Sequence, residues 1–310
     1  MKRFVWTISI ACVMLAPSAS RAQIKPNREQ ILFYTPDWKG DRFADGRPKL
    51  PDNLLTRALD VSIEDVWDYL RAQGYVNQFE AGFQALHPDK PFAGRALTAQ
   101  FIPRRPDMAA AVAAEGKAEG RVRGTNSWVI NELKMGDTMV VDGYGKIVEG
   151  TIIGSNLGSG IAAHTHSGFV FDAGIRDAEE NREIENLNGL YRGYDPSAWA
   201  QMQLMGINVP VRIGRATVLP GDLVLAKRDG VIFIPAILAA AAIAKAEFTN
   251  LQDAFNFELN RQGKNGAEFE GGWSAQKFGA LAKWVDEHPE KLKMSKNEFA
   301  DLLKKAQGNR

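Results

Sequence analysis

Cysteine is almost absent from this chain. Among its 310 residues the one cysteine is Cys12, which lies in an apolar stretch close to the N-terminus. Without a second cysteine the chain has no internal disulfide, and beyond Cys12 it has no thiolate nucleophile and no cysteine ligand for a metal. Its stability and chemistry therefore depend on other residues.

An excess of charge of one sign is also lacking. Lys and Arg total 38 and Asp and Glu total 37, which gives a formal net charge of +1. Binding to nucleic acid or to an anionic membrane is driven by a surplus of basic residues. We therefore expect no nucleic-acid partner. Beyond the N-terminal stretch, no apolar run is long enough for a membrane span.

The first 22 residues have the three parts of a secretory signal peptide. Lys2 and Arg3 precede an apolar stretch at 4–16, and small residues at 20 and 22 suit a signal peptidase. The apolar stretch is too short for a permanent membrane helix; a buried N-terminal helix is the alternative. We predict cleavage after Ala22 and a periplasmic or secreted protein, with 35 Lys and Arg left against 37 Asp and Glu.

The remaining chain divides into three parts by composition. Residues 23–53 are polar and rich in Pro, Asp and Gly, which predicts an extended arm that could wrap a neighbouring molecule. Residues 54–262 mix helical and strand patterns. Residues 263–310 combine a Gly-rich linker with a helical extension, and four of its apolar side chains could dock it on the core or on a neighbouring subunit: Phe278, Leu281, Trp284 and Val285.

The periodicity of residues 54–262 predicts one mixed α/β domain. Helical spacing follows a capping box at Ser62 and recurs in two Ala-rich segments, so helices are expected at 62–73, at 109–119 and from Pro235 to about Arg261. Short apolar or alternating runs predict strands. These runs lie at 96–102, 139–141, 147–153, 168–171, 209–213 and 223–234, the last with a hairpin turn at Arg228-Asp229-Gly230.

Arg176 and Asp177 end a buried-looking strand that follows a glycine-rich turn. A guanidinium binds a carboxylate bidentately, and a carboxylate oxygen is a natural ligand of Mg²⁺ or Mn²⁺. Together they suit a 2-oxo acid whose enolate a metal ion stabilises during carbon–carbon cleavage. A simple salt bridge at a strand end is the alternative.

Two neighbouring motifs, a glycine-rich turn and a pair of histidines, allow other functional interpretations. The turn from Gly154 to Gly160 could face an anion with its backbone amides, and its glycine spacing resembles a short-chain dehydrogenase loop. Its mid-chain position and the lack of a Tyr-x-x-x-Lys pair weigh against nicotinamide binding. His164 and His166 could share a metal on a strand, but they would point apart on a helix, which the residues before them favour.

Short motifs follow one another in a fixed order along residues 60–262. They are Pro91 to Thr98, Gly136-Asp137, Val140-Val141-Asp142, Gly154 with Leu157, Gly168, Asp172, Arg176-Asp177, Asn208 to Val211, Pro220-Gly221-Asp222 and Asp229-Gly230-Val231. As an ordered set they resemble the RraA-like family. That family includes class II 4-hydroxy-4-methyl-2-oxoglutarate aldolases, oxaloacetate decarboxylases and the regulator of ribonuclease E activity.

The resemblance implies a layered β/β/α domain of the swivelling type, assembled as trimers or hexamers with active sites between subunits. It implies that Arg176 binds pyruvate oxygens and that Asp177 ligates Mg²⁺ or Mn²⁺. It also implies that the amides of Asn156 and Leu157 receive the substrate carboxylate and, more loosely, that Asn126 lines the pocket. An acidic residue of a neighbouring subunit would complete the site, with Glu258 and Asp253 as candidates.

Ser155 departs from the family's pattern. In the lyases an Asp is separated from Arg-Asp by twenty intervening residues, and it orients a water for proton transfer to the enolate. Ser155 occupies that position here, and a serine hydroxyl is a very poor base at neutral pH. Glu149 could take over the role.

The expected function is therefore a divalent-metal-dependent lyase acting on a 2-oxo acid, by retro-aldol cleavage or decarboxylation. Because Ser155 replaces the family's Asp, two alternatives stay open. One is a non-catalytic binding or scaffold protein on the same fold. The other is a metal-dependent hydratase or isomerase.

Export can be tested directly. If the complete chain is produced in a Gram-negative host, we expect the periplasmic protein to begin at Gln23, because Ala22 ends the signal. N-terminal sequencing of the fractionated protein checks this. Cytoplasmic protein that retains Met1 would contradict the prediction.

Overall fold

The computed structural model describes residues 24–264 and 272–308. The predicted signal peptide at 1–22 and the middle of the predicted linker lie outside the described residues. No helix within the described ranges is long and apolar enough to cross a membrane.

The helices and strands follow one another along the chain in a mixed order. The helices are α1 (Arg28–Tyr34), α2 (Asp52–Ala58), α3 (Ile63–Ala72), α4 (Pro106–Ala118), α5 (Thr125–Ile130), α6 (Ser155–Thr165), α7 (Ala178–Arg182), α8 (Ala236–Arg261), α9 (Ala275–Glu287) and α10 (Lys296–Gly308), with a short 3₁₀ helix at Pro289–Lys291. The strands are β1 (Phe79–Glu80), β2 (Gln84–Ala85), β3 (Phe92–Pro103), β4 (Asp137–Thr151), β5 (Gly168–Ile175), β6 (Asn188–Tyr194), β7 (Met202–Ile207), β8 (Val211–Ile213), β9 (Ala216–Val218), β10 (Leu223–Lys227) and β11 (Gly230–Ile234).

One large mixed sheet organises the domain. Its strand order is β1-β11-β10-β3-β4-β5-β6-β2, and β7 also pairs with β3. The four neighbouring strands β3, β4, β5 and β6 are parallel, whereas the outer pairings and that of β7 with β3 are antiparallel. The carboxyl ends of the four parallel strands therefore meet at one edge of the sheet.

Alternation of side chains along the central strands builds two apolar layers. On β4, Met139 and Val141 face the cluster that includes α5 and α6, while Val140 faces the opposite cluster. The second cluster is closed by the hairpin of β8 and β9. The order of layers is thus helices, large sheet and small sheet, as the predicted β/β/α class requires.

A third apolar cluster covers the β10–β11 end of the sheet. Residues of α2, α3 and α8 pack there against Leu223, Leu225, Ile232 and Ile234. Both ends of the predicted domain therefore meet at this hairpin, which was expected from the turn at Asp229-Gly230.

Most predicted elements are confirmed. The helices expected at 62–73, at 109–119 and after Pro235 correspond to α3, α4 and α8. The strands expected at 139–141 and 147–153 are instead one long strand, β4, whose register against β5 shifts twice. The segment between the two runs, 142–146, contains two glycines and two charged residues, so its sequence does not indicate that the strand continues.

The segment predicted as an extended arm at 23–53 contains a helix, α1. Asn27 and Gln30 form a capping box that starts α1, and Ile31 on this helix is fully buried. The arm also inserts Arg47 into its own domain, where the guanidinium donates to both carboxylate oxygens of Asp137 at 3.2 and 3.0 Å. Both side chains are 0% exposed. The arm is thus part of the domain's core.

The C-terminal extension docks on its own chain. Phe278, Leu281, Trp284 and Val285 pack with the second half of α8 and with α10 in a separate apolar cluster. Arg57 on α2 joins this cluster to the domain by ion pairs with Glu247 and Glu298. Of the two predicted docking places, the structure has the intramolecular one.

The buried Arg47–Asp137 pair should be costly to break. Arg47→Met leaves the buried Asp137 carboxylate without its ion-pair partner, so we expect a loss of about 3–5 kcal/mol in the free energy of unfolding. Urea unfolding followed by circular dichroism measures it. Arg105→Met, which breaks an exposed pair with Asp107, should change little. Equal losses for both variants would contradict this assignment.

Candidate functional site

Two loops meet at the carboxyl edge of the central strands. The first follows β4 at residues 152–154, and the second follows β5 at Arg176 and Asp177. The Arg176 amide donates to the Ile153 carbonyl at 3.0 Å, and the Ile152 amide donates to the Gly174 carbonyl at the same distance. These bonds continue the β4–β5 pairing and hold the two loops side by side. In open α/β sheets this edge is the usual place for ligands.

Gly154 allows the two loops to approach closely. A Cβ atom at this position would lie 3.0 Å from Arg176 Nε and would overlap Asp177 Oδ2. No residue with a side chain fits here without displacing one of the two groups. The glycine is therefore required by contact rather than by its backbone angles.

The N-terminus of α6 points at the same place. The Ser155 amide donates to Asp177 Oδ2 at 3.1 Å, so the carboxylate serves as a cap for the helix. The amides of Asn156 and Leu157 have no partner among residues 24–264 and 272–308, and neither has the Ser155 hydroxyl. Free amides at a helix N-terminus favour an anion. The predicted residues 155–157, 176 and 177 are thus brought together.

Asp177 is held in an uncommon backbone conformation. Its φ of 52° lies in the left-handed region, which costs a non-glycine residue some energy. Asn181 supports it, because its side-chain amide donates to the carbonyls of Arg176 at 3.1 Å and Asp177 at 2.8 Å. Asn181 is fully buried and packs against Gly158 of α6.

Asn181 and Gly154 are the site residues that sequence reasoning did not assign. A faint signal exists for Asn181, since it follows Asp177 by one helical turn, a spacing at which an asparagine can bond back to the chain. Its Oδ1 is buried and has no hydrogen-bond partner in the described part of the chain.

Arg176 and Asp177 remain accessible. Arg176 Nε lies 4.0 Å from Asp177 Oδ2, and the two side chains are 44% and 34% exposed. Their contact is too long for a hydrogen bond, so the guanidinium is free to bind a carboxylate. A cavity of about 580 Å³ lies at the opposite edge of the sheet, beside His166 and Asn188, and is not part of this site.

A metal ion would find one protein ligand here. Asp177 offers Oδ1, which accepts no hydrogen bond from the described residues, whereas Oδ2 already bonds to the Ser155 amide. No group of three or more His, Cys, Asp or Glu side chains forms a metal site within 24–264 and 272–308. Mg²⁺ is often held by one carboxylate, water and substrate, so the donor set fits a hydrated Mg²⁺ or Mn²⁺ rather than a closed cage.

The other predicted residues lie further back or elsewhere. Asn126 is buried, and its side-chain amide donates to the Ile152 carbonyl at 2.9 Å. It therefore holds the loop at 152–154 in place. Glu258 and Asp253 lie on α8, away from Arg176 in the same chain. A hydrogen bond from Gln262 lowers the pKa of Glu258, while partial burial raises the pKa of Asp253. Glu149 is solvent-exposed on β4.

The two histidines do not form a pair. His164 lies on α6, where its Nδ1 contacts the Gly160 carbonyl of the same helix at 2.7 Å. His166 follows as the C-cap in the left-handed conformation, and both side chains are exposed. The prediction that this segment is helical is confirmed.

Comparison with known proteins gives the family. Residues 63–233 match the RraA-like family, described as aldolase/RraA. This match covers more than half of the chain. The chain belongs to the RraA-like family.

The matches to named relatives cover less of the chain than the family match does. A Halalkalibacterium halodurans protein provisionally named 4-hydroxy-4-methyl-2-oxoglutarate aldolase is 33% identical over 108 residues, which are 34% of this chain and 49% of the relative. The 4-hydroxy-4-methyl-2-oxoglutarate aldolase of Thermus thermophilus is 30% identical over 107 residues, 34% of this chain and 64% of that protein. The matches thus span about half to two-thirds of these relatives.

A solved structure agrees over a longer stretch. Streptomyces coelicolor RraAS2, an unusual member of the RNase ES inhibitor RraA protein family, superposes with a TM-score of 0.55 at 26% identity. The superposition covers 68% of this chain and 97% of that one. Arg47 of the arm and the helices α9 and α10 lie outside the family match at 63–233.

The role of Gly154 can be measured against a second glycine on α6. Gly154→Ala should lower the free energy of unfolding by about 1–3 kcal/mol, because the new methyl group displaces Asp177 or Arg176. Gly160→Ala meets its nearest neighbour, Ile130 Cγ2, at 3.4 Å. It should be neutral or stabilising by up to about 1 kcal/mol through helix propensity. Urea titration of both variants decides; equal stabilities would refute the close approach.

Proposed function

We propose that this protein is a divalent-metal-dependent lyase that cleaves a carbon–carbon bond of a 2-oxo acid, by retro-aldol cleavage or decarboxylation. The observation that carries the proposal is the convergence of Arg176, Asp177 and the free amides of α6 at one accessible edge. The aldolase names of the two relatives support it, over a third of this chain.

Each group has a role that its chemistry suits. The guanidinium of Arg176 binds the oxygens of the 2-oxo acid, which fixes the plane of the carbonyl. The amides of Asn156 and Leu157 donate to the substrate carboxylate at the positive end of α6. Asp177 would hold Mg²⁺ or Mn²⁺, which when bound supplies Lewis-acid stabilisation of the enolate.

Proton transfer is the step for which the chain is least equipped. Ser155 bonds to Asp177 through its amide. Its hydroxyl can hydrogen-bond a water, but it cannot itself serve as a base at neutral pH. A carboxylate from a second copy of the chain, Glu258 or Asp253, would supply that base in a homotrimer or hexamer. The openness of the site in one chain supports this assembly.

A specific observation favours a second candidate. Asp177 already caps α6 through the Ser155 amide, so its position also has a structural purpose. A non-catalytic RraA-like binding protein, or a hydratase or isomerase that keeps the metal, would retain the same pair without the lyase's base.

Substrate turnover with matched variants tests the proposal. The mature protein should release pyruvate from oxaloacetate or from 4-hydroxy-2-oxo acids only with Mg²⁺ or Mn²⁺, and EDTA should abolish the release. Asp177→Asn keeps an oxygen to cap α6 but loses the charge, so turnover and Mn²⁺ binding should fall together. Glu179→Gln, an exposed change two residues away on α7, should have no effect.

The alternatives give different results in the same assay. Mn²⁺ binding that depends on Asp177, without pyruvate release from any substrate, would favour the hydratase or isomerase. Absence of both would favour the binding protein. Metal-dependent turnover that survives in Asp177→Asn would refute the assigned role of Asp177.

A further inference from the structure

A second cavity lies at the other end of the molecule, under the N-terminal arm. Its volume is about 310 Å³, and it opens between the loop after α1 and the start of α8. Three aromatic side chains contribute to its walls, namely Tyr34, Trp38 and Tyr75, together with Pro36, Pro235 and Ile237. The volume is at the lower end of the range for small-molecule pockets.

The loop that forms one wall is firmly held. The guanidinium of Arg42 donates to the Thr35 hydroxyl and carbonyl at 2.8 and 2.7 Å and to the Trp38 carbonyl at 3.0 Å. Trp38 is fixed in turn, since its indole N–H donates to the Asp41 carbonyl at 2.8 Å. The cavity wall is therefore pre-formed, which lowers the entropic cost of binding.

A buried carboxyl group lines the same cavity. Asp222 is 3% exposed, and its Oδ2 accepts the Leu219 amide at 2.8 Å. The Ala236 amide at the start of α8 lies near the same carboxyl group and favours its charged form. No Lys, Arg or His side chain in 24–264 or 272–308 forms an ion pair with it.

Asp222 has no positively charged partner among the described side chains. A buried carboxylate is normally paired or bound to a metal, whereas Asp222 accepts a backbone amide and lines an aromatic-walled cavity. Burial raises the pKa of Asp222 to about 7, which records the absence of positive charge nearby. Aromatic rings attract organic cations through the negative charge of their faces.

We propose that this cavity is a binding site for a small organic ammonium ion, whose charge pairs with Asp222 and whose apolar part contacts Tyr34, Trp38 and Tyr75. The site is separate from Arg176 and Asp177. Asp222 precedes β10, whose first residue, Leu223, pairs with Arg95 near the beginning of β3. It therefore lies toward the amino edge of the central strands, and binding does not depend on the proposed lyase activity.

The pH dependence follows from the groups that line the cavity. Besides Asp222, the titratable groups that line the cavity are the Asp37 carboxyl and the Tyr34 phenol on the arm, and the Tyr75 phenol after α3. The other lining residues on the elements around the cavity are not titratable: Gln78, Thr217, Leu219, Pro235, Ala236 and Ile237. Asp222 becomes charged as the pH rises through about 7, so affinity for a permanently protonated amine should increase over that range.

The first experiment compares benzylamine with benzyl alcohol, a neutral analogue of the same shape, by isothermal titration calorimetry. Benzylamine should bind one per chain, and its affinity should rise at least about tenfold between about pH 5.5 and about pH 8.5 as Asp222 ionises. Benzyl alcohol should bind weakly and without pH dependence. Equal binding of the two compounds, or no saturable binding of benzylamine, would overturn the proposal.

Variants then locate the site. Trp38→Leu should weaken benzylamine binding about tenfold by removal of the indole ring. Phe33→Ala, a neighbouring aromatic that is 78% exposed and does not line the cavity, should leave it unchanged. Asp222→Asn should abolish the pH dependence, with Asp41→Asn as its control. If Asp222→Asn does not fold, the pH series and the Trp38 variant still decide; loss of affinity in Phe33→Ala alone would place binding elsewhere.

Discussion

The parallel pairing of β4 with β5 determines where Arg176, Asp177 and the N-terminus of α6 lie. Because the two strands run in the same direction, their carboxyl ends open at one edge, and the bond from the Arg176 amide to the Ile153 carbonyl extends the pairing into the loops. Gly154 then brings the chain to within contact of Arg176 and Asp177. The charges of this site are thus positioned by backbone geometry and by the absence of a side chain.

Local patterns in the sequence predict most of this architecture. Alternation and helical spacing are read within a few residues, so strand β5, helix α3 and the hairpin before Pro235 could be assigned without any knowledge of contacts. The structure of the arm could not be assigned in this way, because its composition is polar. Its main contact, between Arg47 and Asp137, joins residues that are 90 positions apart in the sequence. The sequence divides β4 for a related reason. Its middle lacks an apolar pattern, and the continuation of the strand is evident only from its pairing with β5 on both sides of residues 143–145.

The same distinction applies to the two sites. Ser155, Asn156 and Leu157 could be placed beside Asp177 through a family resemblance and a glycine-rich turn that are legible in the sequence. The role of Asn181 could not be assigned from the sequence, because it depends on the two carbonyls to which its side-chain amide donates. The cavity at Asp222 is harder still, because its walls come from the arm, from the segment after α3 and from the start of α8. No single stretch of the sequence could therefore predict this cavity.

The insertion of Arg47 into the domain changes what counts as the minimal folding unit. The match to the family begins at residue 63. A fragment cut at that boundary would keep the strands but would leave the buried Asp137 carboxylate, at the beginning of β4, without its ion-pair partner. The segment that looks most dispensable by comparison with relatives supplies the counter-charge at the centre of the sheet. In this protein the border of the recognisable family and the border of the cooperative unit are therefore different places along the chain.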